Sequence, residues 1–168
     1  MSQAKPVIFI VLTTLALLSC KAKGPSLEGA SLAPSFVLPS IDGQEKSLED
    51  FKGKPLMLHF WATWCPACRE ELPTFQRLYE ELGPSGLNIV AINVGESPEK
   101  VKKFVEEMGL TFPILLDPKR EVANRYRVMG LPTTYWIDSS GKIVDLTLGG
   151  PLPEDFILEK LSKIGVKR

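Results

Sequence analysis

The sequence is poor in metal-binding residues and carries no excess of charge. Its 168 residues include one histidine and three cysteines, and 20 basic and 20 acidic side chains cancel to a net charge of zero at pH 7. A structural zinc site takes four ligands, so this composition argues against one, and we expect no metal. Balanced charge gives no basis for nucleic-acid binding, which requires an excess of lysine and arginine. Length and composition are typical of one globular domain, without internal repeats or low-complexity segments.

The N-terminus contains an uncharged stretch that is short for a membrane span. Lys5 is the only charged residue before Cys20. One lysine followed by such a stretch is typical of an export signal, so we expect a lipoprotein-type signal peptide over residues 1–19. The sequence Leu-Leu-Ser-Cys that ends at Cys20 resembles the bacterial lipobox, although the second leucine is less usual there. An ordinary cleaved signal and an uncleaved membrane anchor are the alternatives.

This interpretation predicts three segments. Residues 1–19 are removed, residues 20–33 form a lipidated Cys20 and a flexible tether, and residues 34–168 form the folded domain. The tether is rich in lysine, glycine, serine, alanine and proline, and chains of that composition are flexible. A lipid on Cys20 would hold the domain near a membrane surface without spanning it.

The other two cysteines lie two residues apart, between a strand pattern and a helix pattern. An apolar run over 56–61 precedes Cys65-Pro66-Ala67-Cys68, and apolar residues at helical spacing follow it. Cys65 is therefore expected at a helix start, where unpaired N–H groups and the helix dipole lower the pKa of a thiol. Cys65 would be the nucleophile, and Cys68, one turn on, would resolve the mixed disulfide. The pattern predicts thiol–disulfide exchange with the Cys65–Cys68 disulfide as redox centre and no other cofactor.

The rest of the chain alternates strand and helix patterns, which predicts an α/β fold with a mixed sheet sandwiched by helices. Segments 35–39 and 44–48 flank a turn and predict an N-terminal β-hairpin. The later predicted elements are a strand over 88–94, a helix over 98–108, a strand over 112–116, a short helix from Asp117 to about 126, a strand pair over 135–138 and 142–148, and a closing helix over 154–164.

Several motifs together resemble one family. They are Ala-Pro-Ser-Phe at 33–36, Leu-Glu-Asp-Phe-Lys-Gly-Lys at 48–54, the stretch 60–73 around the cysteines, Asn-Val-Gly-Glu-Ser at 93–97 and Gly-Leu-Pro-Thr-Thr at 130–134. From about residue 33 to 165 the chain resembles the TlpA/ResA-like branch of thioredoxin-fold, membrane-anchored thiol–disulfide oxidoreductases. The resemblance implies a helix-plus-strand insertion over 97 to about 116.

The resemblance also implies several site residues. Pro132 would be a cis-proline opposite the cysteines, and the backbone of Leu131 would pair with an extended client peptide. Trp64 and Pro66, which flank Cys65, are further candidates for substrate binding.

Two ionisable residues are candidates for tuning the cysteines. Glu96 matches an acidic residue that this branch keeps near them, and a carboxylate there could take the proton of Cys68. A solvated loop glutamate is the alternative. His59, the only histidine, stands in the core strand where thioredoxin carries a buried aspartate. We hypothesise that His59 and Glu96 share a proton beneath Cys68, although a neutral, satisfied core histidine is the commoner case.

The resemblance suggests a monomeric, exported reductant, lipid-anchored to a bacterial membrane, with its domain in the periplasm or outside the cytoplasmic membrane. Its client would be a disulfide-bearing exported protein, for example apocytochrome c during cytochrome c maturation. A membrane thiol carrier of the CcdA or DsbD type would supply the electrons.

Three other functions remain open at this stage. A DsbA-like oxidant would use the same residues. A Sco-like copper-delivery protein would need a longer cysteine spacing and a distal histidine. A peroxiredoxin-like peroxidase would need a threonine where Ala62 precedes Cys65 by three residues.

Overall fold

The computed structural model describes Met1 and residues 31–166. Apart from Met1, the predicted signal peptide over 1–19 lies outside the described residues, as do the predicted lipidation at Cys20 and the tether up to residue 30. Within the described part of the chain, no helix has both the length and the apolar character that a membrane span requires.

A small hairpin opens the domain. Strands β1 (Val37–Pro39) and β2 (Glu45–Ser47) pair antiparallel around a turn. A short 3₁₀ helix (Leu48–Phe51) follows, and the Ser47 N–H donates a hydrogen bond to the Asp50 carboxylate at its start. The predicted N-terminal hairpin is confirmed.

The main sheet has five strands in the order β5-β4-β3-β6-β7. Strands β3 to β5 run parallel, whereas β6 and β7 pair antiparallel beside β3. The strands are β3 (Leu56–Trp61), β4 (Asn88–Val94), β5 (Ile114–Asp117), β6 (Thr133–Ile137) and β7 (Ile143–Leu148). The helices are α1 (Pro66–Leu82), α2 (Pro98–Met108), α3 (Glu121–Arg125) and α4 (Glu154–Lys163).

Helices cover both faces of this sheet. On one face, Met57 and Trp61 of β3 belong to a core with buried residues of α1, α2 and α4. On the other face, Leu58 and Phe60 pack with α3 and the N-terminal hairpin. Because side chains alternate along a strand, His59 points to the same face as Met57 and Trp61, towards α1. The predicted mixed sheet sandwiched by helices is confirmed, with α2 and β5 as the helix-plus-strand insertion.

Candidate active site

Cys65 and Cys68 lie at the start of α1, just beyond the end of β3. Cys65 is the N-cap residue of α1, Pro66 occupies the first turn, and the Cys65 sulfur accepts a hydrogen bond from the Cys68 N–H at 3.3 Å. The two cysteines form a disulfide, with Cα atoms 5.3 Å apart. Cys65 is 3% exposed and Cys68 is fully buried. The pair therefore has one slightly exposed cysteine, at the helix end that favours a thiolate, and one cysteine with no exposure.

Two buried ionisable side chains lie beside the Cys68 sulfur. His59 Nε2 and Glu71 Oε1 are 3.3 Å apart, and both side chains are fully buried. One ligand atom from each of His59, Glu71 and Cys68 lies within 4.8 Å of the other two. The other ring nitrogen, His59 Nδ1, is 2.9 Å from the Thr134 hydroxyl. The second carboxyl oxygen of Glu71 accepts a hydrogen bond from the Leu152 N–H at 3.1 Å.

Burial favours the uncharged form of each member of this pair. It lowers the pKa of His59 to about 3. It also raises the pKa of Glu71 to about 8, although the hydrogen bond from Leu152 acts in the opposite direction. At neutral pH the pair therefore holds one proton, on the Glu71 carboxyl, and His59 is neutral.

The predicted pairing of His59 with Glu96 is wrong, because Glu96 binds other groups. Its carboxylate accepts hydrogen bonds from the Thr63 N–H at 2.6 Å, the Thr63 hydroxyl at 2.7 Å and the Asn93 amide at 2.8 Å. Lys100 Nζ lies 2.7 Å from Glu96 Oε1. Since Thr63 belongs to the turn between β3 and Cys65, Glu96 ties that turn to the end of β4 and the start of α2.

Glu96 is ionised at neutral pH. Its burial alone would raise the pKa of this carboxyl, but the bonds from Lys100, Thr63 and Asn93 outweigh burial and lower the pKa below its ordinary value. An ionised, fully bonded carboxylate is suited to hold the turn in place.

Glu71 is the residue that the sequence analysis missed. A signal was present: Cys68, Leu72 and Phe75 mark the buried face of α1, and Glu71 follows Cys68 by three residues on that face. A glutamate is rarely buried without a partner, so its position in this stripe indicates a special environment.

The predicted substrate-binding residues differ in exposure, because Leu131 is partly buried and Pro132 is buried. Trp64 is 62% exposed, and Pro66 is exposed beside it. The Leu131–Pro132 peptide bond is cis, which confirms that prediction. Leu131 packs against the core cluster that contains both cysteines. With the exposed side chains Met129 and Leu148, Leu131 and Pro132 line an open recess.

A redox-active cysteine pair at a strand-to-helix turn, near a cis-proline loop and in this sheet topology, defines a thiol–disulfide oxidoreductase of thioredoxin-like fold. The comparisons with known proteins agree. The sequence model of the AhpC/TSA family matches residues 30–146, and the chain belongs to that family.

The similar proteins include several thiol–disulfide oxidoreductases. The chain is 45% identical over 125 residues to thiol-disulfide oxidoreductase ResA from Geobacillus thermodenitrificans, covering 74% of this chain and 72% of the relative. A thiol:disulfide interchange protein of the thioredoxin family from Chlorobium tepidum superposes with a TM-score of 0.72 at 29% identity, covering 80% of this chain and 95% of the other. The exposed lipoprotein thioredoxin Etrx1 from Streptococcus pneumoniae gives a TM-score of 0.67 at 30% identity, covering 77% and 99%. The chain is thus a ResA-like thiol–disulfide oxidoreductase whose redox centre is its cysteine pair.

Proposed function

We propose that this oxidoreductase reduces disulfides in exported proteins, with Cys65 as nucleophile and Cys68 as resolving cysteine. The two cysteines differ in position, and this difference supports the assignment of their roles. Cys65 caps α1 beside the exposed Trp64, whereas Cys68 is fully buried one turn further on. A client sulfur can approach Cys65 but not Cys68.

The reaction takes two exchanges. The Cys65 thiolate attacks one sulfur of the client disulfide, and the other client sulfur leaves as a thiolate. Cys68 then loses its proton and attacks the Cys65 sulfur, which forms the Cys65–Cys68 disulfide and releases the second client thiol. Two electrons pass from the cysteine pair to the client, and a membrane dithiol returns them to the pair.

In this proposal Glu96 is a positioning residue. Its carboxylate is already bonded to Thr63, Asn93 and Lys100, so it supports the turn that carries Cys65 instead of taking the proton of Cys68.

The client binds at the surface formed by Trp64, Pro66, Leu131 and Pro132. An extended segment of the client pairs with the Leu131 backbone, and its apolar side chains contact the Trp64 ring and the recess beside Pro132. The exposure of large apolar side chains around a reactive sulfur supports this surface, because such exposure is characteristic of protein-binding sites.

The location and partners follow from the resemblance and from the relatives. The protein is exported and held at a bacterial membrane by a lipid on Cys20. Its domain lies in the periplasm or outside the cytoplasmic membrane and acts as a monomer. Apocytochrome c is the proposed client, and a CcdA- or DsbD-type membrane carrier the proposed donor. Similarity to ResA and to an exposed lipoprotein thioredoxin supports this assignment.

Trapping of the mixed disulfide tests the roles of the cysteines. In the Cys20→Ala background, which lacks the third thiol, the full chain with Cys68→Ser is mixed with an oxidised peptide containing Cys-x-x-Cys-His, the haem-attachment motif. We expect the peptide to remain joined to Cys65, as located by mass spectrometry after proteolysis. The matched Cys65→Ser variant should form no adduct, because Cys68 is buried. An adduct on Cys68 in that variant would contradict the assigned roles.

Membrane attachment is tested separately. Cells expressing the Cys20→Ala variant should release the protein from the membrane fraction, whereas wild type should stay in it. A Cys20→Ala protein that remains with the membrane would overturn the lipid anchor and leave the exchange reaction unaffected.

A further inference from the structure

The buried cluster around Cys68 has the composition of a metal site, although the sequence contains too few histidines and cysteines to suggest one. His59, Cys68 and Glu71 each direct one ligand atom to a common point, within 4.8 Å of one another, and all three side chains are buried. Thiolate, imidazole and carboxylate are the three side-chain ligands that Zn²⁺ uses in proteins.

The spacing of the His59 and Glu71 ligand atoms fits a tetrahedral ion. With Zn–N and Zn–O bonds of about 2.0–2.1 Å, two such ligands on one ion lie roughly 3.3 Å apart. His59 Nε2 and Glu71 Oε1 are separated by 3.3 Å.

His59 Nε2 and Glu71 Oε1 face each other, and neither has another polar partner among the described residues. A cation bound between them would take both atoms as ligands in place of this contact. The His59 and Glu71 side chains each make one further polar contact. Thr134 contacts His59 Nδ1 and the Leu152 N–H binds the other Glu71 oxygen. Such contacts orient metal ligands and hold His59 with Nε2 facing the cluster.

Cys65 can supply a fourth ligand only when the disulfide is open. In the disulfide its sulfur is bonded to Cys68, and neither sulfur is a thiolate. Reduction by a dithiol transfers two electrons and two protons to the pair and converts the dithiol to a disulfide. Zn²⁺ then binds both sulfurs and displaces the thiol protons to solvent.

We propose that the reduced protein binds one Zn²⁺ through Cys65, Cys68, His59 and Glu71, and that the oxidised protein does not. Zn²⁺ fits this set better than Cu⁺, because the carboxylate is a hard ligand and Cu⁺ prefers soft ones. Bound zinc occupies the nucleophile Cys65 and so holds the oxidoreductase in a reduced, inactive form. The metal is an inhibitory ligand and not a cofactor of the exchange reaction.

The test measures zinc binding directly. The full chain with Cys20→Ala, which removes the third thiol, is reduced with a phosphine and titrated with Zn²⁺ against a chromophoric chelator without oxygen. We expect one Zn²⁺ per reduced molecule and none per oxidised molecule. His59→Asn and Glu71→Gln should each weaken binding by at least about tenfold. The matched control Glu70→Gln, an exposed neighbour on α1, should bind as the parent does.

Three results would overturn the proposal. They are equal binding by the oxidised protein, no binding by the reduced protein, and unchanged affinity in both His59→Asn and Glu71→Gln, which would assign the metal to the cysteines alone.

Substitution of Zn²⁺ by Co²⁺ in the reduced parent gives a readout that does not depend on how well a variant folds. Tetrahedral Co²⁺ with sulfur ligands should give strong visible bands and a sulfur-to-cobalt charge-transfer band. His59 is the only histidine, so one paramagnetically shifted imidazole N–H signal should appear by NMR. Weak bands typical of octahedral Co²⁺, or no shifted imidazole signal, would contradict the site.

Discussion

The buried His59–Glu71 pair should make the stability of the oxidised protein fall as the pH rises from 6.5 to 8. In the folded protein the pair holds one proton between about pH 3, the pKa of His59, and about pH 8, the pKa of Glu71. In the unfolded chain the ordinary pKa values are 6.5 and 4.5. The unfolded pair therefore carries two protons below pH 4.5, one from 4.5 to 6.5, and none above.

The magnitude follows from the difference in bound protons. Between pH 4.5 and 6.5 both states hold one proton, so the pair adds no pH dependence. Between pH 6.5 and 8 the folded state holds one proton more, and the free energy of unfolding decreases by about 1.4 kcal/mol per pH unit. The loss over this interval is about 2 kcal/mol. Below pH 4.5 the unfolded state holds the extra proton, so stability decreases again towards pH 3.

The assay is chemical unfolding of the oxidised full chain at a series of pH values, which excludes thiol ionisation because the disulfide stays closed. Glu71→Gln should abolish the loss above pH 6.5, since His59 alone contributes nothing there. His59→Asn should start the loss near pH 4.5. The exposed Glu106→Gln on α2 serves as control and should keep the parent profile. Stability that stays level or rises from pH 6.5 to 8 in the parent, or a Glu71→Gln protein that still loses it, would refute the reasoning.

Three further predictions concern the turn, the core and the client surface. Glu96→Gln should destabilise the protein at pH 7 by about 1–3 kcal/mol, as for a lost charged hydrogen bond. Because the folded pKa of Glu96 is lowered, the difference from wild type should shrink as the pH falls below 4.5, the ordinary pKa of this carboxyl, and a gap constant with pH would contradict this. Phe75→Ala should cost about 3–5 kcal/mol in denaturant unfolding, because the ring is fully buried and meets His59 edge-on with centroids 4.9 Å apart. Met129→Ser combined with Leu148→Ser should raise KM for a protein client about tenfold without slowing reduction of the protein by a small dithiol. The control Val37→Ser, exposed on the N-terminal hairpin, should change neither value. An equal loss with the small dithiol would refute the client surface.

Most of the fold could be predicted because its signals are local. The apolar run of β3 and the helical spacing in α2 predicted the bounds of these two elements, and the cysteine pair marked the start of α1. The predicted bounds of the short elements were less accurate. We expected a helix from Asp117, but α3 begins at Glu121. The Asp117 carboxylate instead accepts a hydrogen bond from the Ala123 N–H inside the helix, so a capping residue alone does not mark where the first turn starts.

The contacts around Cys68 could not be predicted in the same way, because they join three distant segments. His59 comes from β3, Glu71 from α1 and the Leu152 N–H from the loop before α4. One sequence shows that His59 and Glu71 are each on a buried face. It does not show that the first turn of α1 lies across that part of β3. From the sequence we therefore expected Glu96, and not Glu71, to be the carboxyl beside Cys68 and His59.

The most direct test of the central claim is the reduction potential of the Cys65–Cys68 couple, measured on the full chain by equilibration with thiol–disulfide buffers at neutral pH. A reductant of exported disulfides requires a potential near or below about −230 mV, in the range of glutaredoxins and thioredoxin, and this is the result we predict. A value near about −120 mV, as in DsbA, would contradict the account and make the protein an oxidant of its clients.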